Sequence, residues 1–193
     1  MPNLKNIAVT ITLIAICAIV FLLSGMGRLQ QVLQYLYIAG IGTRGYQDVM
    51  DGQIWRLVTP IFIHFTILHI VFNLMWIWDL GRMIELIKGS VFYGVFVLLV
   101  GIASNVMQYS VTQSPYFGGM SGVVYGLLGY VWMQSRYRPG LGFELHKSTV
   151  VMMLVWYVVC WTGLLGPIAN WAHTGGLLMG VAIGYLNRGE ARG

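Results

Sequence analysis

Gly118-Gly119-Met120-Ser121-Gly122-Val123-Val124-Tyr125-Gly126 joins an uncharged glycine-rich turn to a short apolar helix that runs on to Arg136. Ser121 stands fifteen residues before Arg136, so a helix begun there rises only about 22 Å above that cation. A hydrocarbon core is roughly 30 Å thick. If Arg136 marks one membrane face, this helix starts below the other. The residues before it, Val111 to Met120 with Pro115 and paired glycines, are then irregular backbone at membrane depth. Such backbone is tolerated only where it is buried in protein or lines a wet cavity, so the loop is expected to dip into a bundle.

Composition supports the bilayer reading. The chain has 193 residues, 58% hydrophobic and 9% charged, far from the balance of a soluble domain. Its net charge of +5 comes without a basic stripe or a base-stacking module, which excludes nucleic acid as the natural partner. Cys17 and Cys160 lie in apolar segments and read as small buried hydrophobes. Six spans are expected, at about 6–24, 61–80, 91–108, 121–134, 150–165 and 170–186, in one all-α membrane domain covering 1–193 with no internal repeat. The first is read as an anchor and not a cleaved signal peptide. The connection from Gly25 to Thr59, rich in glycine and mixed charge, is placed at the membrane interface. Alternation puts Lys5, Arg82, Lys88, Arg136, Arg138, Lys147, Arg188 and Arg192 on one side and Arg28, Arg44 and Arg56 on the other. The positive-inside rule then makes both termini cytoplasmic.

The same height argument applies to two histidines. His173 is fifteen residues before Arg188, and His69 thirteen before Arg82, so they come to about 22 and 20 Å on helices of the same direction as that of Ser121. Polar side chains at membrane depth are functional candidates. A serine hydroxyl becomes a useful nucleophile when a neutral imidazole takes its proton, and Ser121 with His173 supplies that pair. Each has a blander reading, Ser121 as a helix N-cap and His173 as a packed helix-end histidine; their shared level favours the chemical one. Glycines at Gly122 and Gly126, and at Gly176, Gly180 and Gly184, recur every four residues and allow close helix approach. They bring the Ser121 helix against the His173 helix. His69 and Asn73, an i, i+4 pair, share one helical face and, with the free N–H groups at the start of the Ser121 helix, could receive an oxyanion. Zinc held by His64, His69 and His173 is the competing reading, placed lower because His64 and His69 are five apart and diverge by about 100° on a helix. No carboxylate lies near this layer, since Asp79 and Glu85 fall toward the cytoplasmic flank, so the pair reads as a dyad. Tyr125, one turn below Ser121, is placed to support the imidazole.

These residues in this order resemble the rhomboid intramembrane serine proteases, in their compact six-helix bacterial form. The resemblance covers nearly the whole chain: Trp55-Arg56, the His64, His69, Asn73 pattern, Gly119-Met120-Ser121-Gly122 with Tyr125, and Ala172-His173-Thr174-Gly175-Gly176. A Gly-x-Ser-Gly stretch alone is weak, whereas the ordered set is specific. The resemblance implies a serine endopeptidase of the bacterial inner membrane, with no cofactor and no metal, that cleaves transmembrane proteins near their outer ends. It implies Ser121 as nucleophile, His173 as base, and His69, Asn73 and the Ser121 N–H as oxyanion hole, with Gly119, Gly122, Gly176 and Tyr125 in support. Arg56 and Glu85 match structural positions, and Gln108 a water-retaining one. It also implies the absence of the soluble N-terminal domain that some relatives carry. With His64, Gln108, Ser110, Gln113 and Ser114 toward the outside, an outward-open wet cavity is expected, entered laterally between the second and fifth helices past Phe72 and Trp156. A catalytically silent rhomboid-like protein that binds membrane clients is the alternative, and a transporter is disfavoured by the lack of repeats. The oligomeric state is left open.

Overall fold

The computed structural model describes residues 4–189, so Arg192, one of the cations assigned to the cytoplasmic side, lies outside the described residues. Regular structure among the described residues is helical throughout. The long elements are α1 Ala8–Leu23, α2 Ile67–Lys88, α3 Ser90–Thr112, α4 Ser121–Tyr137, α5 Lys147–Trp161 and α6 Asn170–Leu186. By length and composition α2 and α3 can cross a membrane, while α1 and α5 are shorter apolar helices.

Three helices, the second, third and fifth, have boundaries that differ from the sequence expectation. The second helix starts at Ile67 and not near residue 61. Thr59–Phe62 forms only a 3-10 turn around Pro60, Ile63 is extended, and Thr66 accepts a hydrogen bond from the His69 N–H to cap the true start. That helix then continues past residue 80, through a π turn at Ile77–Gly81, until Gly89 with φ +86° ends it. The third helix runs to Thr112 because side chains satisfy its terminal carbonyls: Thr112 Oγ1 donates to Gln108 O and Gln113 Nε2 to Tyr109 O. Irregular backbone is therefore confined to 113–120. The fifth helix occupies Lys147–Trp161, displaced toward the N-terminus, with Gly163 and Gly166 in left-handed conformations after it.

The glycine stripes make α4 and α6 the most extensively contacting pair of helices. A Cβ on Gly176 would collide with the Gly122 carbonyl, one on Gly180 with the Gly126 carbonyl, and one on Gly129 would lie 2.8 Å from Leu177 O. Backbone touches backbone along this crossing, and α4 is buried almost continuously from Gly122 to Val131. Around it α1, α2 and α3 contribute Leu13, Cys17, Phe21, Ile77, Leu80, Phe96 and Val100 to one apolar core. The connection between α1 and α2 folds onto the end of α3, where Tyr109 donates to Gly45 O and Tyr46 to Val106 O. Arg56 is buried within that connection and donates to the Gln34 and Tyr37 carbonyls at 2.8 Å each.

Glu85 ties α1 to the bundle at the opposite end. Its two oxygens accept from Val9 N and Thr10 N at 2.8 Å, Thr10 Oγ1 at 2.7 Å and Ser90 Oγ at 2.6 Å. The two backbone N–H groups among them are orphan donors at the start of α1, and that of Thr10 is satisfied by a side chain 75 residues away. Glu85→Ala removes the acceptor from all four at once, an expected loss of about 3 kcal/mol or more of stability. Glu85→Gln keeps one acceptor and should lose less. Thermal unfolding in detergent measures both; equal midpoints for wild type and Glu85→Ala would refute the account.

Candidate active site

The site begins with two glycines that let a loop enter the bundle. A Cβ on Gly118 would lie 2.6 Å from Ile63 Cβ, and one on Gly119 would lie 2.5 Å from His69 Nε2. Gly119 also has φ +119°, in the region that favours glycine, and its N–H donates to Pro60 O at 3.0 Å. Only a chain without side chains at these two positions lies flat against the 60–63 turn and the His69 ring. Its next residue but one, Ser121, opens α4.

Ser121 does not act as a side-chain cap. Met120 holds the cap position, with no side-chain hydrogen bond to the helix, and Ser121 Oγ lies 2.8 Å from His173 Nε2. The imidazole is buried, and its other nitrogen, Nδ1, has no hydrogen-bond partner among the described residues. What holds the ring is packing: the Tyr125 ring lies 4.8 Å away at an interplanar angle of 39°. Tyr125 is itself fixed, its hydroxyl donating to Met153 O and its ring meeting Tyr157 edge to face at 5.5 Å. Gly122, beneath Ser121, leaves space for Ser104, whose Oγ would lie 2.7 Å from an added Cβ, and for Ala172 O at 3.1 Å. An imidazole nitrogen at this distance can take the serine proton as the oxygen attacks a carbonyl.

The remaining sequence candidates are distributed around this pair. Asn73 is buried on the same face of α2 as His69, and its Nδ2 donates to His69 O at 2.9 Å, leaving its second N–H for another acceptor. His64 departs from expectation: it precedes α2, so helical periodicity does not apply to it, and its ring lies 4.9 Å from that of His69. No group of three His, Cys, Asp or Glu side chains gathers to hold a metal among the described residues. Gln108 is buried, and its Oε1 accepts from Ala172 N at 3.1 Å at the start of α6. His64 is fully buried as well. Ser110, Gln113 and Ser114 are exposed.

Sequence reasoning missed three contributors. Ser104 gave no signal beyond sitting one turn before Gln108 on an apolar helix. Thr174 and Asn170 flank His173 in the same helix, and both bond toward α5, Thr174 Oγ1 to the Tyr157 hydroxyl at 2.6 Å and Asn170 Nδ2 to Cys160 O at 3.1 Å. Thr174 could have been marked as a hydroxyl next to His173.

Comparison with known proteins bears on this arrangement. The model of the rhomboid domain matches residues 51–190. The chain is also similar to proteins named rhomboid protease GlpG from Salmonella paratyphi A, Salmonella newport and Salmonella typhi, at 37% identity over 148 residues in each case. Those matches cover 76% of this chain and 53% of each relative, so the chain spans about half the length of the curated relatives it matches. With that domain match, its extent and an all-helical apolar bundle, the chain belongs to the rhomboid family of polytopic membrane proteins.

Proposed function

We propose that this protein is an intramembrane serine endopeptidase that hydrolyses peptide bonds in or near transmembrane segments. The observation that carries the proposal is the 2.8 Å contact between Ser121 Oγ and His173 Nε2, in a family whose relatives are named proteases. Ser121 Oγ attacks the scissile carbonyl carbon while Nε2 takes its proton. Charge on the carbonyl oxygen is received by the Ser121 backbone N–H, His69 and Asn73. Collapse breaks the C–N bond, and the imidazolium returns the proton to the leaving amine. Water then repeats the sequence on the acyl-serine, releasing the acid and restoring Ser121. Gly119, Gly122 and Gly176 permit the close backbone approaches, and Tyr125 supports the base.

In this reading all six long helices are spans of a single domain, both termini are cytoplasmic, and the membrane is the bacterial inner one. Substrates are transmembrane proteins that enter between α2 and α5, where Phe72 and Trp156 are exposed on the outer surface. The test is cleavage of a helix-destabilised transmembrane reporter by the purified chain in liposomes. Turnover supports the proposal; binding of several reporters without turnover by folded protein supports a silent, client-binding relative instead. A single neutral imidazole as base also predicts a pH profile whose acid limb falls about tenfold per pH unit. A limb twice as steep, in a variant set where His69→Ala keeps that slope, would assign a second proton elsewhere.

A further inference from the structure

Helix α5 is held to the bundle in an unusual way. Val151, Met152, Val155, Trp156 and Val158 all face outward, leaving one face, at Met153, Tyr157 and Cys160, to meet the protein. Every one of these three positions makes a hydrogen bond, to Tyr125, whose ring packs on His173, or to Thr174 and Asn170, which stand beside His173 and one turn before it in α6. Tyr125 donates to Met153 O, Asn170 Nδ2 to Cys160 O, and the Tyr157 hydroxyl lies 2.6 Å from Thr174 Oγ1.

The direction of that last bond follows from the next one. Thr174 Oγ1 donates to Asn170 O at 3.0 Å, which uses its only proton, so Tyr157 is the donor. The chain of hydroxyls runs from Tyr157 to Thr174 and ends on the Asn170 carbonyl, and the Asn170 side chain ties α6 to α5 separately, at Cys160 O. Hydroxyls linked in series polarise one another. The Tyr157 ring also meets Tyr125 edge to face, and Tyr125 packs on the imidazole. Tyr157 therefore reaches His173 by two routes, through the residue that follows it in α6 and through the ring that supports it. With Nδ1 of His173 lacking a partner among the described residues, no polar contact on that side fixes the ring.

We propose that Tyr157 is a positioning residue for His173: by way of Thr174 and Tyr125 it takes the orienting role a carboxylate would have, and it makes the alignment of the base depend on α5 being docked. This rests on the reading of Ser121 and His173 as nucleophile and base.

The test uses the purified full chain and two rates, turnover of the transmembrane reporter and covalent labelling of Ser121 by a small alkyl fluorophosphonate. Tyr157→Phe keeps the ring and loses the hydroxyl, and Thr174→Val removes the other partner. Each should lower kcat and the labelling rate by roughly fivefold with KM unchanged. The double variant should be no worse than either single one, because both remove the same bond. Thr174→Ser, which keeps the hydroxyl, should match wild type. Wild-type kcat and labelling with only a lowered unfolding temperature would make the bond merely structural and overturn the proposal. So would a change confined to KM, which would make it a latch on substrate entry. If wild type neither cleaves nor labels, the nucleophile assignment itself has failed; the imidazole 15N signals of His173 then still decide, since a spectrum unchanged by Tyr157→Phe removes any positioning role.

Discussion

Ser121→Ala should abolish cleavage, by at least about a thousandfold, while the unfolding temperature stays close to that of wild type. The argument for a large chemical effect is that nothing else near His173 can replace the hydroxyl. The imidazole has one hydrogen-bond contact, to Ser121 Oγ; of the neighbouring hydroxyls, Ser104 lies behind Gly122 on the α3 side of the crossing, and Thr174 is engaged with Tyr157 and the Asn170 carbonyl. The argument for a small structural effect is that Ser121 caps nothing: its oxygen makes no bond to the α4 backbone, and Met120 occupies the cap position. Removing the oxygen leaves a buried imidazole nitrogen without its partner, a modest cost of about 1 kcal/mol. Reporter cleavage and thermal unfolding, measured on the same detergent preparation, read the two effects separately. Cleavage by Ser121→Ala at more than a tenth of the wild-type rate would remove Ser121 as nucleophile. Loss of cleavage together with a collapse in stability would instead make the serine a structural residue.

The meeting of Ser121 with His173 was legible in the sequence because it depends on quantities that one strand of text carries: the rise of a helix, the position of flanking cations, and glycines spaced every four residues. The same features made the α4 to α6 contact legible. What the text did not carry was determined by contacts between remote segments. Thr66 caps α2 only because Pro60 and the extended Ile63 turn the chain beforehand, and that moved the helix start by a turn and a half relative to the apolar run. His64 therefore lies outside the helix over which the apolar run extends, and although helical periodicity would turn it away from His69, its ring adjoins that of His69. Gln108 lies near the end of an apolar helix, and its oxygen is used by the orphan N–H of Ala172 on another helix, a partner its own helix does not reveal. Polar groups near helix ends are spoken for by whichever backbone donors the tertiary fold leaves open, and no periodicity in one helix identifies those.

The second large effect is expected at Gly176, and it separates precision of the site from stability of the bundle. An added Cβ there would run into the Gly122 carbonyl and come within 3.0 Å of Ser104 Oγ. The obstruction is backbone, which cannot rotate away, so α6 has to move outward relative to α4. Gly176 is one turn from His173 and faces the residue after Ser121, hence the displacement falls directly on the 2.8 Å contact. A shift near 1 Å in such a pair costs roughly a hundredfold in rate. Gly176→Ala should therefore lose about that much of kcat even where the protein remains folded. Gly184, two turns further along α6, is the informative comparison. A Cβ there meets Met133 Cβ at 2.8 Å and Tyr130 O at 3.0 Å, a clash at the far end of the same crossing. Gly184→Ala should lower the unfolding temperature by several degrees, as expected for about 1 to 2 kcal/mol of overpacking, with kcat within about threefold of wild type because the helix can pivot about its tight contacts nearer the site. Equal losses of kcat in the two variants would mean that α6 shifts as a rigid rod, and that the glycine stripe sets the spacing of the whole bundle and not the alignment of Ser121 with His173.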